Sequence, residues 1–267
     1  MQCDAVKLPV PWGTAQLLQV LAGGACLAAG GAALQLLPSL ESTAPACGWV
    51  GSIPCGPGAG SLQALAVQHA GSEAALLLAM VGLLAAALHS CQPRALGLFS
   101  LRLTPGWAAA TALLCLLLFP AADPLAASAW AGLLQAALGP GVLDNAGGAA
   151  LVAAVQGSWQ AGAAGPLALH ALASGLLGPL WEEVFWRGFF LTSLTKVLPL
   201  PACVAASSLG FAALHLTPSN ALPLLLLAPA GDLLYLRSRS LGPSLMLHAA
   251  WNLGQLLAVA LGKEAFV

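Results

Sequence analysis

Apolar runs of about twenty residues recur along almost the whole chain, and few folds are open to a chain built that way. A helix needs about 17 to 25 such residues to cross the hydrocarbon of a bilayer. Within lipid, only helices and closed barrels satisfy their own backbone polar groups. Residues 15–37, 74–90, 106–122, 164–194, 197–216, 221–236 and 241–261 meet or approach the helical length. Only 6% of the 267 residues are charged and 59% are hydrophobic, with a mean hydropathy of +0.89, far from soluble composition. The expected fold is all-α: a polytopic transmembrane helix bundle of about seven to eight spans.

The stretch 125–160 is ambiguous, because two short apolar runs flank Gly139-Pro140 and Asp144-Asn145. Loop charge constrains the count. With seven spans, Lys7, Arg94, Arg102, Lys196, Arg237 and Arg239 share one side and only Lys263 falls on the other, as the positive-inside bias requires. One extra span would break that agreement, whereas a tilted hairpin of two short helices preserves it. The run 15–37 is too long for the core of a secretory signal, and the first fourteen residues make a poor transit peptide. The reading is an integral, multi-pass membrane protein. A bacterial inner membrane, the endoplasmic reticulum and a plastid membrane all fit the charge bias.

A net charge of -1 with no basic stripe argues against nucleic acid as a partner. The seven cysteines show no Cys-x-x-Cys spacing, so no structural zinc site is expected. Cys47 and Cys55 share a loop on the side away from the positive charges, and whether they are bridged stays open.

Against this background an ion inside a span needs a reason to be there. Three places stand out. In the first, Glu182, Glu183 and Arg187 follow Gly178-Pro179, which starts or kinks a helix. Glu183 and Arg187 are four apart and share a face as an ion pair. Glu182 points about 100° away, so the two carboxylates are set apart for different tasks, the kind of division that acid/base chemistry uses. The bland reading, a packing pair at a helix end with Trp181 and Trp186 as interfacial aromatics, leaves Glu182 unexplained.

In the second place, Phe211 and His215 are four apart, so the ring packs beside the imidazole and orients it. The third is His248 and Asn252, again four apart, on one face of the last span. Either could simply hydrogen-bond across helices. Together they suggest a polar cavity in the C-terminal half where Glu182, Glu183, His215, His248 and Asn252 converge, a set able to activate and stabilise a hydrolytic reaction. His69 and His89 lie near expected loop ends and read as structural, as does His170, whose polar neighbour at helical spacing is Ser174 and which is the first of the three to consider for another role. Asp232 is expected to pair with Arg237 or Arg239, though a role beside the cavity stays open.

The order Glu-Glu-x-x-x-Arg, Phe-x-x-x-His, His-x-x-x-Asn on successive spans resembles the three motifs of the CAAX-processing and bacteriocin-immunity (CPBP, or Abi) family of intramembrane proteases. The context agrees: Trp-Arg-Gly-Phe-Phe follows the glutamates, Ser-Ser-Leu-Gly-Phe precedes the first histidine, and Tyr-Leu-Arg-Ser-Arg-Ser-Leu-Gly-Pro-Ser-Leu precedes the second. The resemblance covers about a third of the chain. It implies a catalytic core at 164–256, with residues 1–160 completing a single integrated bundle.

By that resemblance, Glu182 and His215 activate the attacking water, His248 and Asn252 stabilise the oxyanion, and Glu183 with Arg187 shapes the site. The implied substrate is a peptide or protein in membrane lipid, with a prenylated C-terminus as one candidate. The family is described both as metalloproteases and as metal-independent glutamate proteases. Glu182, His215 and His248 carry the donor atoms for Zn²⁺, yet the His-Glu-x-x-His motif of soluble zinc proteases is absent. Zinc therefore stays open.

Two other functions compete. One is a non-proteolytic scaffold or chaperone of membrane-protein partners, for which Gly23, Gly24, Gly30 and Gly31 on the first span offer contact surface. The other is a transporter or proton relay, disfavoured because the polar sites cluster in the C-terminal third with no second half to match.

Overall fold

The structure is a computed structural model and describes residues 8, 10–36, 59–93, 96–119, 123–139 and 146–262. The described residues are helical, with no strand among them. In chain order they form α1 (Thr14–Leu36), α2 (Ala59–Leu88), α3 (Pro105–Leu117), α4 (Asp123–Leu138) and α5 (Ala146–Gln160). A long helical run at 164–194, α6, follows, then α7 (Leu200–Leu214), α8 (Ala221–Ser238) and α9 (Leu241–Ala260). Cys47 and Cys55 lie outside the described residues.

The apolar runs read from sequence all appear as helices. The ambiguous stretch forms two, α4 and α5, of 16 and 15 residues. At 1.5 Å per residue each is about 23 Å long, short of the hydrocarbon thickness. α2 differs from expectation. It begins at Ala59, fifteen residues before the expected 74, so Gln63, Gln68, His69 and Glu73 lie within the helix.

Among the described residues, two helices are long and apolar enough to cross a membrane alone, Ser61–Cys91 and Pro218–Ser238. Shorter apolar helices accompany them at Thr14–Leu27, Pro105–Leu117, Pro124–Leu138 and Leu200–Leu214. Large leucines stand more than half exposed on many helices: Leu18, Leu78, Leu116, Leu133, Leu209 and Leu257. A water-soluble bundle of this size would hide such a surface.

Helix ends follow their local chemistry. Thr104 caps α3 by accepting from the Trp107 N–H at 3.4 Å, with Pro105 in the first turn where a missing N–H costs nothing. α8 stops at Arg239, which takes the left-handed conformation (φ 57°). α9 restarts at once, capped by Ser240, whose hydroxyl accepts from the Gly242 N–H at 3.2 Å.

That tight turn is bonded to the loop before α3. Leu241 N–H donates to Ser100 O at 2.7 Å, and Tyr235 O–H donates to Leu98 O at 3.0 Å. Near them, the Lys196 ammonium donates to the Trp12 carbonyl and Trp12 Nε1–H donates to Ser193 Oγ at 2.8 Å. One apolar cluster containing Trp12, Leu88, Leu98, Phe189, Tyr235 and Leu241 joins both sets of contacts. Arg102, Lys196, Arg237 and Arg239 are thus gathered at one end of the bundle. Trp130 of α4 marks the other end, donating its Nε1–H to Pro218 O at 2.6 Å.

Candidate active site

The glutamate pair sits in a helix of uneven winding. α6 is α-helical over Ala164–Leu172, π-helical over Ala173–Leu177, α-helical over Gly178–Glu183, π-helical over Val184–Leu191 and α-helical again at Thr192–Leu194. Pro179 has no N–H to give and its ring crowds the carbonyl one turn back. The run does not break there. The Gly178 N–H bonds to Ala173 O, five residues back, so the winding widens and the helix passes through. Wide turns of this kind are common at functional sites.

Glu183 is fully buried, and its Oε1 accepts two hydrogen bonds: Arg187 Nη1–H at 2.7 Å and His248 Nδ1–H at 2.9 Å. Arg187, also buried, spends its other donors on α8, with Nε–H to Asp232 Oδ1 at 2.9 Å and Nη2–H to Ala228 O at 3.0 Å. Its guanidinium carbon lies 4.9 Å from the centre of the Phe211 ring. Gly231 makes the approach possible, since a Cβ there would sit 2.8 Å from Arg187 Nη2.

Asp232 therefore pairs with Arg187, not with Arg237 or Arg239, and Ser207 and Ser208 donate to its two oxygens at 3.4 and 3.3 Å. Asp232 lies on the buried face of α8, where the chain's next arginines cannot follow it. The pairing spans 45 residues.

Glu182 points elsewhere, as its position one residue earlier on the helix requires. Its Oε2 lies 3.8 Å from His215 Nε2 and 3.8 Å from His248 Nε2, and accepts no hydrogen bond among the described residues. Both rings are held from behind. His215 Nδ1 is 2.7 Å from Phe211 O, a carbonyl that can only accept, so Nδ1 carries the proton and Nε2 faces Glu182 with its lone pair. The Phe211 ring packs on the imidazole with centroids 4.5 Å apart. His248 is fixed by Glu183 in the same manner. Asn252 Nδ2 donates to Ser174 O at 3.0 Å and keeps a second N–H for another acceptor.

Glu182, His215, His248 and Asn252 line one cavity of about 240 Å³. Glu183 and Arg187 lie behind it. The structure thus brings together every residue singled out from the three motifs.

The cavity also has a wall that the sequence did not announce, formed by His69 and Glu73 of α2. His69 is not at a loop end but well inside α2, with its Nδ1 3.0 Å from His170 Nδ1. His170 is thus partnered by His69 rather than by Ser174. Glu73 Oε2 accepts from Trp181 Nε1–H at 2.9 Å. The signal that was present is the spacing His-x-x-x-Glu at 69 and 73, the same one-turn period as the three motifs.

The donor set for Zn²⁺ can be tested on this geometry. Among the described residues, no three His, Cys, Asp or Glu groups have the spacing to hold a metal ion. The gap of 3.8 Å between Glu182 and each imidazole suits a bridging water, with hydrogen bonds of about 2.8 Å on either side.

Residues 164–254 match the family model of type II CAAX prenyl endopeptidases of the Rce1-like kind. No curated protein and no solved structure matches the chain. The matched segment runs from the start of α6 into the second half of α9 and contains all three motifs, so the resemblance read from them holds. It supports a membrane-embedded protease of the CAAX type acting on a peptide or protein substrate.

Proposed function

We propose that this chain is a multi-pass membrane endopeptidase that hydrolyses a peptide bond with a water activated by Glu182 and His215. The observation that carries the reading is the position of Glu182 Oε2, 3.8 Å from the Nε2 of two histidines whose other nitrogens are already bonded. Such a carboxylate oxygen, with no hydrogen bond of its own among the described residues and room for a water, is arranged for proton transfer.

Each step uses protein groups and water. The water between Glu182 and His215 attacks the scissile carbonyl carbon and gives a proton to Glu182. The carbonyl oxygen becomes an oxyanion. His248 and Asn252 stabilise it from the facing helix, in an environment where a fixed polar group is worth more than in water. Collapse breaks the C–N bond, and the proton held by Glu182 passes to the leaving nitrogen. Glu183 does not meet the substrate. It pairs with Arg187, orients His248 and thereby sets the oxyanion site.

The bundle as a whole supports a multi-pass arrangement. Exposed leucines stand on many of its helices, and the loop of Arg102 is bonded to the turn that carries Arg237 and Arg239, in keeping with the loop-charge bias. The apolar walls suit a prenyl chain or a transmembrane peptide equally, and a prenylated C-terminus is one candidate substrate. The scaffold alternative draws less from the structure. Gly23 and Gly24 face Leu83 of α2 and Phe185 of α6, so they are used within the chain.

The test is cleavage by the detergent-purified protein of a quenched prenylated CAAX peptide and a panel of membrane-protein termini. Activity that Glu182→Ala and His248→Ala abolish supports the reading. A wild type that cleaves nothing, or variants that cleave as well as it does, would end it.

A further inference from the structure

The helix that carries Glu182 has a weak point just ahead of the catalytic pair. Over Ala173–Leu177 it is π-wound, and an extra residue in a turn rotates everything downstream relative to everything upstream. The direction in which Glu182 projects depends on that rotation. Two hydrogen bonds from α2 bracket the π segment. Before it, His69 meets His170; after it, Glu73 accepts from the Trp181 indole N–H at 2.9 Å. His69 and Glu73 are four apart on α2, so one face of one helix holds both sides of the wide turn.

The second contact is close-fitted. A Cβ at residue 178 would lie 3.3 Å from Glu73 Oε2, so the glycine lets the carboxyl head approach the helix. Trp181 is the residue immediately before Glu182. A carboxylate in an apolar bundle is costly to keep, and packing alone would be served more cheaply by an apolar side chain.

We propose that Glu73 is a positioning residue of the active site: through Trp181 it fixes the rotational setting of the turn that presents Glu182 to His215 and His248. Glu73 lies outside the 164–254 segment that matches the family model. The N-terminal half then supplies part of the catalytic machinery, and the matched segment is not self-sufficient. This rests on the endopeptidase reading.

The test is steady-state kinetics of purified full-length Glu73→Ala, Glu73→Gln, Trp181→Phe and the Glu73→Ala/Trp181→Phe double variant, on whichever peptide of the panel the wild type cleaves. A small misplacement of a reacting group costs up to about a hundredfold. Glu73→Ala and Trp181→Phe are each expected to lower kcat by about tenfold or more with KM little changed. Glu73→Gln, whose amide oxygen still accepts the indole N–H, is expected to recover most of the loss. The double variant should be no worse than the poorer single one, because both remove the same bond. Full activity in Glu73→Ala, a rise in KM alone, or losses that multiply in the double variant would each overturn the proposal while the wild type still cleaves. A wild type inactive on every peptide overturns the endopeptidase reading, and this inference falls with it.

Discussion

His248 Nδ1 lies 2.9 Å from Glu183 Oε1, and that one bond gives two neighbouring glutamates different work. The same oxygen takes the Arg187 Nη1–H at 2.7 Å. Glu183 Oε1 is therefore shared between Arg187 and His248 behind the cavity, while Glu182 faces the cavity itself.

The first expectation concerns that division. Glu183→Gln keeps the shape but breaks one of the two buried ion pairs of Arg187, leaving Asp232 as its remaining carboxylate partner. Breaking a buried pair from one side costs roughly 3–5 kcal/mol. The variant should lose thermal stability in detergent as well as activity, whereas Glu182→Gln should lose activity alone. Scanning fluorimetry of both against wild type checks this, and an equal loss of stability in the two would count against separate roles.

Gly231 extends the same point to α8. Its replacement by alanine puts a Cβ within 2.8 Å of Arg187 Nη2, a group held by bonds to Glu183, Asp232 and Ala228. The guanidinium cannot move aside without losing one of them. Gly231→Ala is expected to cost about 1–3 kcal/mol, the range for forcing extra volume into a packed interior. Unchanged thermal stability would show that the network is looser than its distances imply.

Asn252 offers a kinetic signature. As an oxyanion donor it acts only once charge develops on the carbonyl oxygen, so Asn252→Ala should lower kcat by about 10²–10³ with little change in KM. An effect confined to KM would make Asn252 a substrate-binding group instead.

Metal dependence can be read directly. With 3.8 Å between Glu182 and each histidine and no three-ligand grouping among the described residues, water and protein groups are expected to suffice. Activity should survive dialysis against a strong chelator. A loss restored by adding Zn²⁺ would reassign Glu182, His215 and His248 as ligands.

Much of this was legible in the sequence because lipid-facing segments leave little else to encode. The apolar runs gave the helices, and the one-turn spacing within Glu183/Arg187, Phe211/His215 and His248/Asn252 gave the faces. What stayed hidden were relations between distant segments. Asp232 reads locally as a partner for Arg237 or Arg239, yet the fold carries Arg187 to it from α6. Glu73 stands just outside the apolar run 74–90, and nothing nearby reveals that the helix began at Ala59. The π winding around the glutamates left one trace, Gly178-Pro179, which signals a disturbance without saying that the helix survives it.

The most direct measurement is hydrolysis of a quenched membrane peptide by purified wild type and Glu182→Gln, side by side at matched folding. Removal of a general base costs about 10²–10⁴ in rate. The expected result is a wild type that cleaves and a Glu182→Gln protein, equally stable, that is slower by that factor. Equal rates from the two proteins would contradict the role given to Glu182.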